Sequence, residues 1–231
     1  MPDEETFSFN FWPSFADLML SVVLILILVI FLIYSVLSAG TVNLSHVEER
    51  QRVMIASLAA SFGSIPEETE KNIYVISISR SKTRDVIIRN YPTLQRFSFG
   101  SHILFPQDEY LLSENGKRVL KTLGGLLKQQ LPKIKEIQIQ GHADPVPTLK
   151  HGSNLKLAAL RAVEVFRFFQ QSVGIDPAQN LMSATSFGEY KPVQRSDDDE
   201  SYNIKRLNAH NFIETQRTQN RRIELLLFYR Y

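Results

Sequence analysis

The chain has no cysteine among its 231 residues. That excludes a disulfide framework, a thiol nucleophile and any thiolate-ligated metal. Histidine is scarce: five residues (His46, His102, His142, His151, His210), none in an H-E-x-x-H pattern. With no Glu/His or Ser/His grouping at catalytic spacing, nothing points to an enzyme, and no catalytic or metal-ligating set is expected. An excess of either charge is lacking too. Lys+Arg number 26 and Asp+Glu 24, a formal net charge of +2, so no nucleic-acid partner is expected.

Charge is almost missing from Phe11 to Leu37, where Asp17 is the one side chain ionised at neutral pH. From Leu18 to Ile33 every residue is apolar except Ser21. A helix rising about 1.5 Å per residue crosses roughly 30 Å of hydrocarbon with about 20 such residues. A lone segment in lipid must be a helix, because its backbone has to satisfy itself. The start of the chain lacks Lys and Arg and carries Asp3, Glu4 and Glu5. A cleaved signal peptide wants a basic start and a shorter apolar core, so the run predicts an uncleaved anchor. The flanking charges do not set its orientation: Arg50 and Arg52 stand beside Glu48 and Glu49.

An intramembrane carboxylate costs about 2.5–3.5 kcal/mol on insertion scales, so a chain that keeps one usually uses it. Ser14, Asp17 and Ser21 are three and four apart and share one helix face. One reading makes Asp17 an ion carrier with Ser14 and Ser21 as auxiliaries on the ion path. The other makes Ser14 a helix cap and Asp17 its S-x-x-D partner at the membrane edge.

The aromatic lead, A-D-L-M (16–19) and the apolar run resemble the transmembrane helix of MotB-type stator subunits of ion-driven motors. The fuller F-W-P-S-F-A-D-L-M form is most similar to B subunits of the Zorya anti-phage defence motors. The resemblance implies that Asp17 carries the ion, that the N-terminus is cytoplasmic in a bacterial inner membrane, and that the chain is a homodimer inside a larger multi-helix membrane subunit, a pentamer. No cofactor is implied beyond the translocated ion. A proton needs only a carboxylate, whereas sodium wants several oxygens, so a proton is favoured.

Four segments follow from the pattern: a tail (1–14), a transmembrane helix (15–38), a linker or neck helix (39–71) and a soluble domain (72–231). Leu44, Val47, Gln51, Met54, Leu58 and Ser61 or Phe62 recur at helical spacing, which fits a dimerising neck or a plain linker. EETEK (67–71) reads as solvated linker. In the domain, strands are predicted at 73–79, 85–89, 96–99, 103–105, 134–140, 181–187 and 221–229. Helices are predicted from Glu114, capped by Ser113, to about Gln130, and from Asn154 to about Val173. The result is an α/β fold, an α+β sandwich with two helices on a mixed sheet. The polar stretch 194–217 contains Asp197, Asp198, Asp199 and Glu200. It lacks calcium-loop spacing and reads as a solvated loop.

GHAD (141–144), NLKLAALRA (154–162), FGEYKP (187–192) and NRRIEL (220–225) stand in order and resemble the OmpA-like peptidoglycan-binding domain. The resemblance implies that Asp144 and Arg161 clamp the diaminopimelate of the stem peptide, with Asn154 a weaker contributor. Asn220, Arg221 and Arg222 read as mainly structural, with Arg222 a candidate for lining the cleft. The chemistry fits: diaminopimelate ends in an ammonium and a carboxylate on one carbon, matched by a carboxylate and a planar guanidinium. Outside the resemblance, Arg161 reads as an exposed helix arginine and His142 as a core histidine. The loop PVPTLKHGS (145–153) and the 194–217 stretch depart from the family pattern. A wall-anchored stator serving phage defence is the favoured reading, with a flagellar stator subunit or a passive wall tether as the alternatives.

Overall fold

The computed structural model describes residues 11–78, 85–196 and 199–230. The expected tail, apart from its last four residues, falls outside these, as do Ser79, Asp197 and Asp198. The chain divides into two units, Met1–Ser45 and His46–Tyr231.

Helix α1 is Trp12–Ser61. Its Trp12–Ser38 portion is long and apolar enough to cross a membrane, with a mean hydropathy of 3.2 over its most apolar 18 residues and none of those buried.

In the second unit, seven strands form one sheet: β1 (Glu67–Glu70), β2 (Ile73–Ile76), β3 (Val86–Asn90), β4 (Leu94–Gly100), β5 (Ile134–His142), β6 (Leu181–Gly188) and β7 (Arg222–Tyr229). Their order is β1-β2-β3-β4-β7-β5-β6. Only β5 and β6 run parallel; the other neighbours are antiparallel. The helices are α2 (Ser101–Leu104), α3 (Glu114–Gln130), α4 (Asn154–Phe168), α5 (Ile204–Ala209) and α6 (Glu214–Asn220). Strand alternation puts Phe97, Phe99, Ile137, Ile139, Ile223, Leu225 and Leu227 on one buried face. Val119, Leu120, Leu123 and Leu127 of α3 and Ala162 and Val165 of α4 join the same core. Ser113 caps α3 as expected, its side chain accepting from the Gly116 N–H at 3.0 Å.

The expected neck ends at Lys71 and the expected domain begins at Asn72. The structure instead takes the last turns of α1 into the domain. Val47, Met54, Ile55, Leu58 and Ala59 are buried in its core. Gln51, also buried, donates to the carbonyls of Tyr91 (2.8 Å) and Leu94 (3.3 Å), and its own carbonyl accepts from Gln95 Nε2 (3.0 Å). The apolar stripe expected as a neck or a linker therefore packs on its own domain. Other boundaries move locally. EETEK supplies the edge strand β1, exposed on every residue. The expected strand at 103–105 is the short helix α2. The end of the second helix widens into a π-helical turn, Phe169–Val173, closed by Gly174 at φ 76°. The polar stretch expected as a loop folds into α5 and part of α6.

Topology decides which ends meet. Because β7 is antiparallel to β5, His142 at the end of β5 pairs with Arg222 at the start of β7. Because β6 is parallel to β5, α4 must cross between them, and its first turns return beside the end of β5. Gly141 makes that approach close: a Cβ there would lie 2.1 Å from the Ala158 carbonyl oxygen.

Candidate functional site

Asp144 sits two residues past β5 and is 4% exposed. Its Oδ2 accepts from Arg221 Nη1 at 2.6 Å, and its Oδ1 from the Val146 N–H at 3.3 Å. Arg161, two turns into α4, is 5% exposed rather than solvated. Its Nε donates to the Glu109 carbonyl at 2.8 Å, and its guanidinium lies 5.2 Å from the Phe105 ring centroid. Its Nη groups make no hydrogen bond among the described residues. Burial pulls its pKa down to about 10, with Asp108, Asp144 and Glu109 pulling the other way against Arg221, so it stays charged at neutral pH.

Asn154 fixes the loop between these two groups. Its Nδ2 donates to the Asp144 carbonyl at 2.9 Å and its Oδ1 accepts from the Thr148 N–H at 3.1 Å. With its amide engaged on both sides, it positions the loop. Asp108 braces the loop from outside: its carboxylate accepts from Thr148 Oγ1 (2.6 Å) and the Leu149 N–H (3.2 Å). Lys150 pairs with Glu109 next door.

The arginine pair resolves differently from the sequence expectation. Arg222 does not line the cleft. It is buried, its Nε donates to Glu224 Oε1 at 2.7 Å, and its Nη2 donates to the Lys191 carbonyl at 3.2 Å. His142 lies beside that pair, 3.7 Å from Glu224 Oε2 and stacked on Phe187 at 5.3 Å between ring centroids. Burial, reinforced by Arg222, drives the His142 pKa down to about 3, so it is neutral. Arg221 is the residue that sequence reasoning underrates. It bridges Asp144 to Glu214, whose Oε1 accepts from Arg221 Nη2 at 2.5 Å. The hydrogen bonds that it accepts from Arg221 and Arg217 hold the Glu214 carboxyl down at about 2. The signal for it in the chain is its place in the doublet just before β7, opposite the end of β5.

Chemically, the arrangement sets a carboxylate beside a guanidinium with free Nη groups, at one end of the sheet. That pair is complementary to a zwitterion. Among the described residues no cluster of His, Asp or Glu could hold a metal ion. Asp199, from the acidic run, is engaged by Arg206 Nη1 at 2.6 and 2.8 Å.

In the first unit, Asp17 lies on α1 five residues after Trp12, and the first turn of the helix holds no acidic residue. Ser21 Oγ donates to the Asp17 backbone carbonyl at 2.9 Å. Ser14 falls inside the helix, so it does not stand at the cap position the capping reading requires.

Residues 104–206 match the OmpA family. That stretch contains Asp144, Asn154 and Arg161 and stops before Arg221. No curated protein matches the chain. Among solved structures, a MotB-like protein from Desulfovibrio vulgaris is similar at 24% identity and a TM-score of 0.57, covering 81% of this chain and 99% of its own. The periplasmic domain of Helicobacter pylori MotB is similar at 17% identity and a TM-score of 0.53, covering 69% of this chain and 89% of its own. These likenesses show the fold. The chain thus carries a C-terminal OmpA/MotB-like domain on a mixed sheet, with one apolar helix N-terminal to it.

Proposed function

We propose that this chain is the wall-anchored B subunit of an ion-driven stator in a bacterial inner membrane. In this reading the N-terminus is cytoplasmic, Trp12–Ser38 spans the bilayer, and the OmpA/MotB-like domain grips peptidoglycan in the periplasm. Asp144 takes the ammonium and Arg161 the carboxylate of a diaminopimelate, while Asn154 and Arg221 position them. The chain is a homodimer, surrounded by a larger multi-helix subunit, a pentamer, that completes the ion path around Asp17. The carried ion is a proton. Protonation removes the charge of Asp17 and lets the partner surface slide past; deprotonation restores the attraction. The F-W-P-S-F-A-D-L-M lead favours an anti-phage role of the Zorya type over motility.

The observation that carries the motor reading is Asp17 on an unburied, apolar spanning segment, inside the helix and not at its cap. A passive tether has no use for a carboxylate there. The test is Asp17→Asn in the complete system, because asparagine keeps the shape but cannot titrate. Membrane insertion and co-purification with the partner subunit should be unchanged and phage protection lost, while Asp17→Glu retains part of it. A fully protective, assembled Asp17→Asn variant removes the motor and leaves the tether.

A further inference from the structure

The two departures from the OmpA-like pattern build one groove together. Pro145, Val146 and Pro147, directly after Asp144, form one wall. Asn208, Phe212 and Arg217, from the α5–α6 segment, form the other, around an open volume of about 410 Å³. The groove is continuous with the Asp144 site through a chain of ion pairs. Arg217 Nε donates to Glu214 Oε2 at 2.9 Å, Glu214 Oε1 accepts from Arg221 Nη2 at 2.5 Å, and Arg221 Nη1 donates to Asp144 Oδ2 at 2.6 Å.

The chemistry of the walls narrows the occupant. Phe212 is 80% exposed and Val146 52%, so two apolar side chains stand uncovered, and two prolines hold the opposite wall in shape. Among the described residues of the lining Arg217 is the one charged side chain, with Glu214 holding its Nε from outside the groove. Such a groove suits a small apolar group attached to a carboxylate. It begins at Pro145, the residue directly after Asp144 of the proposed clamp.

We infer that this groove is a second subsite, which takes the D-alanine that follows diaminopimelate in the stem peptide. The methyl group lies on Phe212 and Val146, and the terminal carboxylate meets Arg217. The inference rests on the reading of Asp144 and Arg161 as the diaminopimelate clamp. It gives the α5–α6 segment a role: discriminating stems that still carry alanine from stems trimmed back to diaminopimelate.

The test uses the full-length chain in detergent micelles and two soluble stems, the tripeptide ending in diaminopimelate and the tetrapeptide ending in D-alanine, titrated by calorimetry. The wild type should bind the tetrapeptide about fivefold or more tightly, a floor set by one buried methyl group. Phe212→Ala should bring the two affinities together and leave tripeptide binding unchanged, and Arg217→Gln should also bring them together. Circular dichroism checks that both variants stay folded. Equal affinity of the wild type for both stems overturns the subsite while the clamp stands. An equal loss of both stems in Phe212→Ala also overturns it. If neither stem binds the wild type, the clamp reading falls and the subsite falls with it.

Discussion

Arg221 Nη1 and Asp144 Oδ2 lie 2.6 Å apart, joining residues 77 positions distant in the chain. The contact exists because β7 runs antiparallel to β5, which brings the residue before β7 to the residues after β5. It holds the carboxylate on which wall recognition is proposed to depend, and Glu214 holds Arg221 from the other side. Burial lowers the Arg221 pKa, but Glu214 and Asp144 outweigh it, and the net direction is up. Arg221 is therefore charged throughout the physiological range.

Asp144→Ala and Arg161→Ala should each abolish co-sedimentation of the full-length chain with diaminopimelate-type peptidoglycan. Neither residue is a surface group, so stability must be read alongside. Arg161→Ala leaves the Glu109 carbonyl without its donor and removes the guanidinium that lies over Phe105, a loss of about 1–3 kcal/mol. Arg161→Lys keeps the charge but not the fork, and should recover stability better than binding. Sedimentation equal to wild type, measured well below the melting temperature, would remove these residues from the wall contact.

The end of α1 should behave as domain core. Leu58→Ala is expected to cost about 2–5 kcal/mol in chemical denaturation. A fragment starting at Asn72 lacks Val47, Met54, Ile55, Leu58 and Ala59 and should melt well below one starting at Thr41. Equal melting temperatures would return 44–62 to the linker class.

Gly141→Ala should be among the most damaging small substitutions. The added Cβ meets the backbone of Ala158 at 2.1 Å, and a backbone atom cannot swing aside. Moving α4 costs about 1–3 kcal/mol or more, and displaces Arg161 relative to Asp144. Both melting temperature and wall binding should fall. A variant that loses neither would contradict the close packing of α4 on β5.

Stability should decline on acidification beginning near pH 6.5. His142 is neutral in the fold, with a pKa of about 3, against a reference value of 6.5. The unfolded chain therefore binds more protons between those values, and stability is lost as pH falls. One proton corresponds to a slope of about 1.4 kcal/mol per pH unit. Burial raises the Glu224 pKa, but the Arg222 and Arg96 guanidiniums outweigh it and bring it to about 2 from a reference of 4.5, so Glu224 adds to the loss below pH 4.5. In His142→Gln the decline should begin about two units lower. Denaturant titrations across pH 7 to 4 check this, and an unchanged profile would show that His142 is not the titrating group.

Local physics is legible in the chain itself. The apolar run, broken between Leu18 and Ile33 only by Ser21, implies a helix long enough to span, Ser113 and Pro132 bound α3, and alternation marks β5 and β7. Asp144, Arg161 and Asn154 stand in ordered motifs, so the candidate site can be named from residue order. What periodicity cannot report is what a face packs against. The stripe from Val47 to Leu58 has one spacing whether it meets a second chain or its own sheet, and the fold turns it inward. Nor does spacing tell Arg221 from Arg222. On a strand, adjacent residues point to opposite sides, and here Arg222 enters the sheet beside Glu224 while Arg221, just outside it, reaches Asp144. The polar stretch 194–217 has too few apolar residues to announce α5 and α6, and its groove with the Pro145–Pro147 loop depends on strand order. Elements and their chemical groups are thus written in the local pattern of the chain. Which of them meet is settled by register and topology, because contact between residues as distant as Asp144 and Arg221 leaves no trace in the spacing around either one.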